Sequence, residues 1–266
     1  MRLAVVGHGW IAEKMVRCLH GHDIKRLSHH DALDYVNAEG IARAPIHWVV
    51  NCAGVTGYPN VDDCEWRKSD TIWGNTLFPI LLGQACADHS WAEGTRFAHF
   101  SSGCIFSGGP YSEKSVPNFD GSLYSASKLI SDAYLKSMAM VLRIRMPFDG
   151  SDHPKNLLVK LRDYAEKAQV LDGYNSLSSI DEMCAIAAVL IEEGASNGVY
   201  HLVNKDAIWT HEIIDMMGIK AEYWDKADFS RNVIAPRSEC QLTTALPTNA
   251  VRVALAAAIE KMKVAA

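Results

Sequence analysis

Two periodicities alternate along the first half of this chain. Residues 2–6 (RLAVV) form a short β-rich apolar run, and a helical pattern follows through Leu19. Residues 24–28 predict a second strand and residues 47–52 (HWVVNC) a third. A helix is predicted over residues 63–75, and residues 76–89 continue apolar at helical spacing, with Pro79 as a bend. The apolar run 97–100, closed by Ser102, reads as a strand. Residues 107–115 open a Gly/Pro/Ser-rich loop, a helix carries Tyr124 and Lys128, and the run 140–146 (MVLRIRM) is a strand stopped by Pro147. Such alternation implies a doubly wound α/β fold, a parallel sheet with helices on both faces. Ligands of such sheets lie across the carboxyl ends of the strands, where Gly7, Ala53, Ser102 and Pro147 all fall.

Beyond Pro147 the rhythm changes. Residues 149–155 form a polar loop, 156–168 and 179–193 read as helices around a short link, and 199–203 as a strand. The remainder, with Trp209, Trp224 and a helical tail over 250–266, reads as a smaller lobe closing over the sheet. The expected division is 1–147 with 177–204 as a nucleotide-binding domain, and 148–176 with 205–266 as a C-terminal substrate-binding lobe.

Bulk properties narrow the class. With 266 residues, 48% of them hydrophobic, the chain can bury a full core. A net charge of -5 without a basic tract speaks against nucleic acid and for a small-molecule partner. Seven cysteines without a Cys-x-x-Cys pair give neither a disulfide framework nor a zinc site, which fits reduced thiols in a cytoplasm. Eleven histidines show no ligand spacing, so no metal is expected. The opening MRLAVVG enters a strand directly, with no signal pattern and no apolar run of spanning length, so neither targeting nor membrane insertion is expected.

Candidate chemistry lies in two places. Gly7-x-Gly9-Trp10-Ile11-Ala12, between a strand and a helix, is a G-x-G-x-x-A turn whose glycines permit close approach of a pyrophosphate to the helix N-terminus. After the second strand stand Ser28, His29 and His30, with Arg26 nearby and Asp31 just beyond. This polar, basic neighbourhood points to NADPH, with NADH possible. Ala53, Gly54, Val55, Thr56 and Gly57 form a turn suited to the nicotinamide half, and Asn75 is either a cofactor-side residue or a packed helix residue that needs a partner. The second place is residues 100–128. Tyr124 and Lys128 are spaced i,i+4, so on a helix they share a face. A lysine beside a phenol favours the phenolate, and a tyrosine so tuned can protonate a carbonyl oxygen that Ser102 also hydrogen-bonds. Cys104 has no part in plain carbonyl reduction.

The Gly-x-Gly-x-x-Ala turn with Ser102 and Tyr124-x-x-x-Lys128 resembles the extended short-chain dehydrogenase/reductase family, and therefore a Rossmann-type sheet. Closer still, residues 51–65 (NCAGVTGYPNVDDCE), 101–106 (SSGCIF), 117–128 (PNFDGSLYSASK), 142–147 (LRIRMP) and 234–238 (IAPRS) resemble plant-type nucleotide-rhamnose synthases. The glycine turn is one residue shorter than theirs, Tyr58 stands where they carry arginine, and the segment after Cys104 is shorter. The single-function dTDP-4-dehydrorhamnose reductases are more distant relatives.

What the resemblance implies is a bifunctional 3,5-epimerase/4-reductase acting on a UDP- or dTDP-linked 4-keto-6-deoxyglucose with NADPH. It assigns Cys104 and Lys160 to proton transfer on opposite faces of the sugar, with Tyr124 and Ser102 on the C4 oxygen and Lys128 on the cofactor ribose. Tyr124 and Met146 join the cofactor contacts, and Thr56, Gly57, Ser102, Gly103, Cys104, Asn118, Asn156 and Arg237 the substrate contacts, Arg237 as a grip on diphosphate. Left open are a 4-reductase without epimerase activity, a non-catalytic NADP(H)-binding regulator, UDP against dTDP, and whether the Tyr124 helix packs in a homodimer.

Overall fold

A computed structural model describes residues 1–41, 46–88 and 94–265. The ends expected at His89 and Ala266 therefore lie outside the described residues. The chain forms two compact units, one of Met1–Ser102, Asp120–Arg143 and Cys184–Tyr200, the other of Gly103–Phe119, Ile144–Met183 and His201–Ala266. Compared with the expected division, segment 103–119 goes with the second unit and the boundaries near 147, 177 and 204 shift.

The first unit is organised on a six-stranded sheet of β1 (Arg2–Val6), β2 (Asp23–Leu27), β3 (Trp48–Asn51), β4 (Arg96–Ser102), β5 (Met140–Ile144) and β6 (Gly198–Leu202), in the order β6-β5-β4-β3-β1-β2. β1 runs parallel to β2 and to β3, and β3 parallel to β4. Leu3 to Val6 are all buried, as continuous apolar strands in the middle of a parallel sheet are, whereas β2 exposes Asp23 and Lys25 on the sheet edge. Ala4, Val49, Phe97 and Val141 pack against Phe78 and Leu82 of the helix Phe78–Asp88 and Leu135 of the helix Leu123–Leu135. The chain leaves β1 toward β2 on one side and β3 toward β4 on the other, so the order reverses between β1 and β3, the position at which sheets of this kind take their ligands.

The single helix expected over 63–75 is three pieces: Asp62–Trp66, Lys68–Ile72 and a π-helical turn Trp73–Leu77. Arg67, at φ -93° and ψ 55°, breaks the first from the second. The π turn carries Asn75, whose side chain bonds outside the helix, and inserted residues of this kind are typical of functional sites. The helical backbone runs without a gap from Lys68 through the π turn into Phe78–Asp88, so Pro79 lies inside it, two residues past the turn, where its missing N–H removes a donor to the carbonyls of that turn.

In the second unit, Phe148, Leu158, Leu161, Ile208, Ile213 and Leu255 form the core. They draw on the helices Leu157–Lys167, Thr210–Met217 and Val251–Ala265. The loop expected over 107–115 contains a short strand, Gly108–Tyr111, parallel to Cys240–Leu242. Its composition argues against a strand, but the Gly108 amide donates to the Glu239 carbonyl at 2.7 Å and Tyr111 O accepts from the Thr243 amide at 2.8 Å. A distant segment thus supplies the partners that local propensity does not. Among the described residues, no helix is long and apolar enough to cross a membrane, and no group of three or more His, Cys, Asp or Glu side chains could hold a metal ion.

Candidate active site

The glycine turn after β1 is built for backbone contact. Gly7 has φ +114°, a conformation side chains rarely adopt, and a Cβ there would lie 3.2 Å from the Ala53 amide nitrogen in the turn after β3. Gly9 is the N-cap of the helix Trp10–Cys18 and brings no capping side chain; its Cβ direction meets nothing within 4 Å. The positive end of the helix dipole faces this turn, so it suits an anion. Trp10 itself is buried, and Ile11 half-buried.

Around the second strand, Arg26 Nε donates to the Gly7 carbonyl at 3.2 Å, which sets a guanidinium beside the turn. Ser28 Oγ donates to Asp31 Oδ2 at 2.5 Å and accepts from the Asp31 amide at 3.2 Å. His29 meets Phe78 edge-on, 6.0 Å between centroids, and burial, then His30, pulls its pKa down.

The turn after β3 is held from behind. Asn75, fully buried, accepts from the Val55 amide at 2.9 Å and donates to the Val55 carbonyl at 2.8 Å and to Ser127 Oγ at 3.3 Å. Of the two roles expected for Asn75, the structure records that of a clamp on the turn. Gly54 is exposed, and a Cβ on it would come within 3.1 Å of Lys128 Nζ and 3.2 Å of Asn75 Oδ1, so this position demands the smallest residue. Thr56 is half-buried, and Gly57 has φ +68°.

Ser102 ends β4 and is buried. Ser122 caps the next helix by accepting from the Ser125 amide, and this fixes the first turn, where Tyr124 lies. Tyr124 is 8% and Lys128 4% exposed, so both are set into the unit and not on a solvated face. Lys128 Nζ donates to the Phe100 carbonyl at 3.4 Å. Burial first, and Lys128's charge second, hold the His99 pKa well below the usual imidazole range, so His99 is neutral. Below these residues Asp132 pairs with Arg143, 2.8 Å from Nε and 2.5 Å from Nη2, and accepts from Ser101 Oγ at 2.9 Å.

The second unit holds the remaining expected residues. Gly103 is packed against Leu242 and Arg145. Cys104 is half-buried and accepts a hydrogen bond from Arg145 Nη1 at 2.8 Å. Sequence reasoning missed Arg145, because an arginine ending a buried strand looks like a solvated strand end. LRIRMP carries two arginines, and nothing local separates Arg143, which pairs with Asp132, from Arg145, which meets the thiol; the difference is visible only with the fold in hand. Lys160 is half-buried on the helix Leu157–Lys167, and its pKa is lowered by burial first and then by the charges of Lys155 and Arg237. Arg237 is half-buried and donates to the Ala235 carbonyl.

Asn156, Asn118 and Met146 each have partners within the second unit. Asn156 is fully buried as N-cap of its helix, accepting from the Leu158 amide at 3.1 Å and donating to Asp149 O at 2.8 Å and Ser151 O at 2.7 Å; its amide holds the 149–156 loop, which corrects its assignment to substrate. Asn118 clamps its own loop through Ser107 and the Tyr111 hydroxyl. Met146, at φ 40°, packs against the core of the second unit.

The family model described as the RmlD substrate binding domain matches residues 1–259. The chain is 32% identical over 219 residues to a bifunctional dTDP-4-dehydrorhamnose 3,5-epimerase/dTDP-4-dehydrorhamnose reductase of Arabidopsis thaliana, covering 74% of this chain and 69% of that one. It is 33% identical over 218 residues to a trifunctional UDP-glucose 4,6-dehydratase/UDP-4-keto-6-deoxy-D-glucose 3,5-epimerase/UDP-4-keto-L-rhamnose-reductase of the same plant, covering 74% of this chain and only 31% of that longer one. Among solved structures, the L780 UDP-rhamnose synthase from Acanthamoeba polyphaga mimivirus superposes with a TM-score of 0.88 at 21% identity, over 98% of this chain and 99% of that one, which shows the shared α/β fold.

Proposed function

Because this chain belongs to the RmlD substrate binding domain family, we propose that it is an NADPH-dependent reductase of a nucleotide-linked 4-keto-6-deoxyhexose, and that the same chain epimerises the sugar at C3 and C5, giving a nucleotide L-rhamnose. The observation that carries the reading is the buried Tyr124 and Lys128, four residues apart on one helix of the sheet unit, with Ser102 at the end of β4. A solvated helix pair would not be set into the core.

Gly7, Gly9, Trp10 and Ile11 would hold the pyrophosphate, Arg26, Ser28 and His29 the adenosine end, and the turn Ala53, Gly54 and Val55 with Lys128 the nicotinamide riboside, with Met146 the remaining cofactor contact. NADPH, when bound, supplies the hydride for C4. Tyr124 donates its proton to the C4 oxygen, Lys128 stabilises the phenolate left behind, and Ser102 is the second donor on that oxygen. The 4-keto group also acidifies C3–H and C5–H, since removing either proton gives an enolate on the C4 oxygen. Cys104 and Lys160 are the groups assigned to the two faces. Thr56, Gly57, Gly103 and Asn118 are the remaining sugar contacts, and Arg237 the grip on diphosphate. Localisation in the cytoplasm remains part of this reading.

The experiment is proton NMR of UDP-4-keto-6-deoxyglucose with the protein and NADPH in D2O, followed by the dTDP sugar. Deuterium at C3 and C5 of a rhamnose-configured product is the expected result. Reduction without deuterium would leave a 4-reductase, and binding of NADPH without turnover on either sugar a regulatory protein. With Cys104→Ala, deuterium incorporation is expected to fall by ~10²-fold, the lower end for a positioned acid or base.

Lys160 gives a pH test. Its pKa lies below that of an ordinary lysine, in part because Lys155 is close. The limb of the exchange-rate profile set by Lys160 should therefore fall below the range of a free ammonium. Removing a neighbouring positive charge favours the protonated form, so Lys155→Ala should move that limb to higher pH. A limb that stays in place would show that Lys160 does not set it.

A further inference from the structure

The guanidinium of Arg145 is aimed at the Cys104 sulfur and locked in that orientation. Nη1 donates to Cys104 Sγ at 2.8 Å and to Ser238 Oγ at 2.9 Å, while Nη2 donates to Asn175 Oδ1 and to the Ser238 carbonyl, each at 2.6 Å. Arg145 is 4% exposed, and its amide is anchored on Ser178 Oγ at 2.8 Å. Three neutral acceptors thus fix the fork, and the fourth acceptor is a thiol sulfur. A guanidinium keeps its charge in a protein, and a charged donor favours the anionic form of its acceptor. The same charge acts on Cys240, whose Sγ donates to the Gly103 carbonyl at 3.3 Å: burial pushes that thiol up and Arg145 pulls it back.

We propose that Arg145 is a positioning residue for proton transfer at Cys104, fixing the sulfur and balancing the negative charge it carries at one end of the step. This rests on the reading of Cys104 as one of the two proton-transfer groups. When the sulfur is the base, the C–H proton moves to Sγ, the bonding pair stays on the sugar as the enolate, and the Lys160 ammonium returns a proton on the opposite face. Run the other way, the S–H proton goes to carbon and the sulfur is left anionic. In either direction one state holds S⁻ beside the guanidinium.

Two measurements on the full chain test this. Iodoacetamide alkylation, followed peptide by peptide with Cys18 as internal reference, should slow at Cys104 by about tenfold in Arg145→Gln, the scale of a hydrogen bond to a charged group, and recover in part in Arg145→Lys. Deuterium exchange into the 4-keto sugar should fall about tenfold further than 4-keto reduction in Arg145→Lys, and that extra loss should vanish in a Cys104→Ala background, because both changes act on one interaction. An alkylation rate indifferent to Arg145, or an extra loss that persists without Cys104, overturns the proposal and reduces Arg145 to packing. Wild-type protein that alkylates in an Arg145-dependent way yet exchanges no deuterium removes the epimerase reading, and the step with it. Exchange that proceeds normally in both Arg145 variants overturns the proposal alone and leaves the reading intact.

Discussion

Tyr124→Phe should lower the rate of 4-keto reduction by ~10³ to 10⁴-fold, the upper part of the range for losing a positioned general acid. The ring is 8% exposed, so phenylalanine fills the same space and the fold is kept. Only the hydroxyl is lost, and the alkoxide forming at C4 then has no proton donor of comparable placement, since Ser102 offers a hydrogen bond but not an acid. The interaction is made in the transition state, so kcat and kcat/KM fall together and KM changes little. NADPH binding should remain near wild type, because the Tyr124 hydroxyl is one contact among those assigned to the cofactor: the glycine turn, Arg26, Ser28, His29, the turn 53–55, Lys128 and Met146. Stopped NADPH oxidation with unchanged NADPH titration is the expected pair of results. Residual reduction above about a tenth of wild type would remove Tyr124 from the acid role, since that loss is smaller than acid–base catalysis supplies.

The sheet and most of its helices were legible in the sequence because they rest on periodicity. A run such as LAVV admits little but a central strand, and Gly7-x-Gly9 ahead of Trp10 marks a strand-to-helix turn at any resolution. The π turn at Trp73–Leu77 was not legible, because it presents Asn75 to Val55, 20 residues away, and no local signal carries that pairing; nor does any local signal mark the break at Arg67. The strand Gly108–Tyr111 was missed for the same reason, its partner lying at Cys240–Leu242. Among site residues, Tyr124 and Lys128 announce themselves by spacing, whereas Cys104 and Lys160 entered only through a resemblance. Arg145 entered through neither, since its meaning comes from the thiol it faces. Asn156 is the opposite case: the resemblance assigns it to substrate, whereas its geometry is that of a helix cap.

Asp132→Ala should cost about 3–5 kcal/mol of folding stability, the scale for breaking a buried ion pair by removing one partner. Asp132 and Arg143 are 1% and 2% exposed, and both carboxylate oxygens are taken up by the guanidinium, with Ser101 Oγ on Oδ2 as well. Alanine leaves the Arg143 charge buried without this counterion, which is worse than removing both groups. The double replacement Asp132→Leu with Arg143→Met should therefore recover most of the loss, because neither charge then needs desolvation. Urea midpoints of the two single variants and the double variant measure this directly. The pair also bears on the chemistry. Asp132 lies one helical turn beyond Lys128 and two beyond Tyr124, and through Ser101 and Arg143 it ties that helix to β4 beside Ser102 and to β5. Loosening the tie should reduce turnover in the folded fraction as well as stability, and the double variant, stable but without the tie, separates the two effects. Full activity in a stable double variant would show that packing alone holds Tyr124 and Lys128 in register.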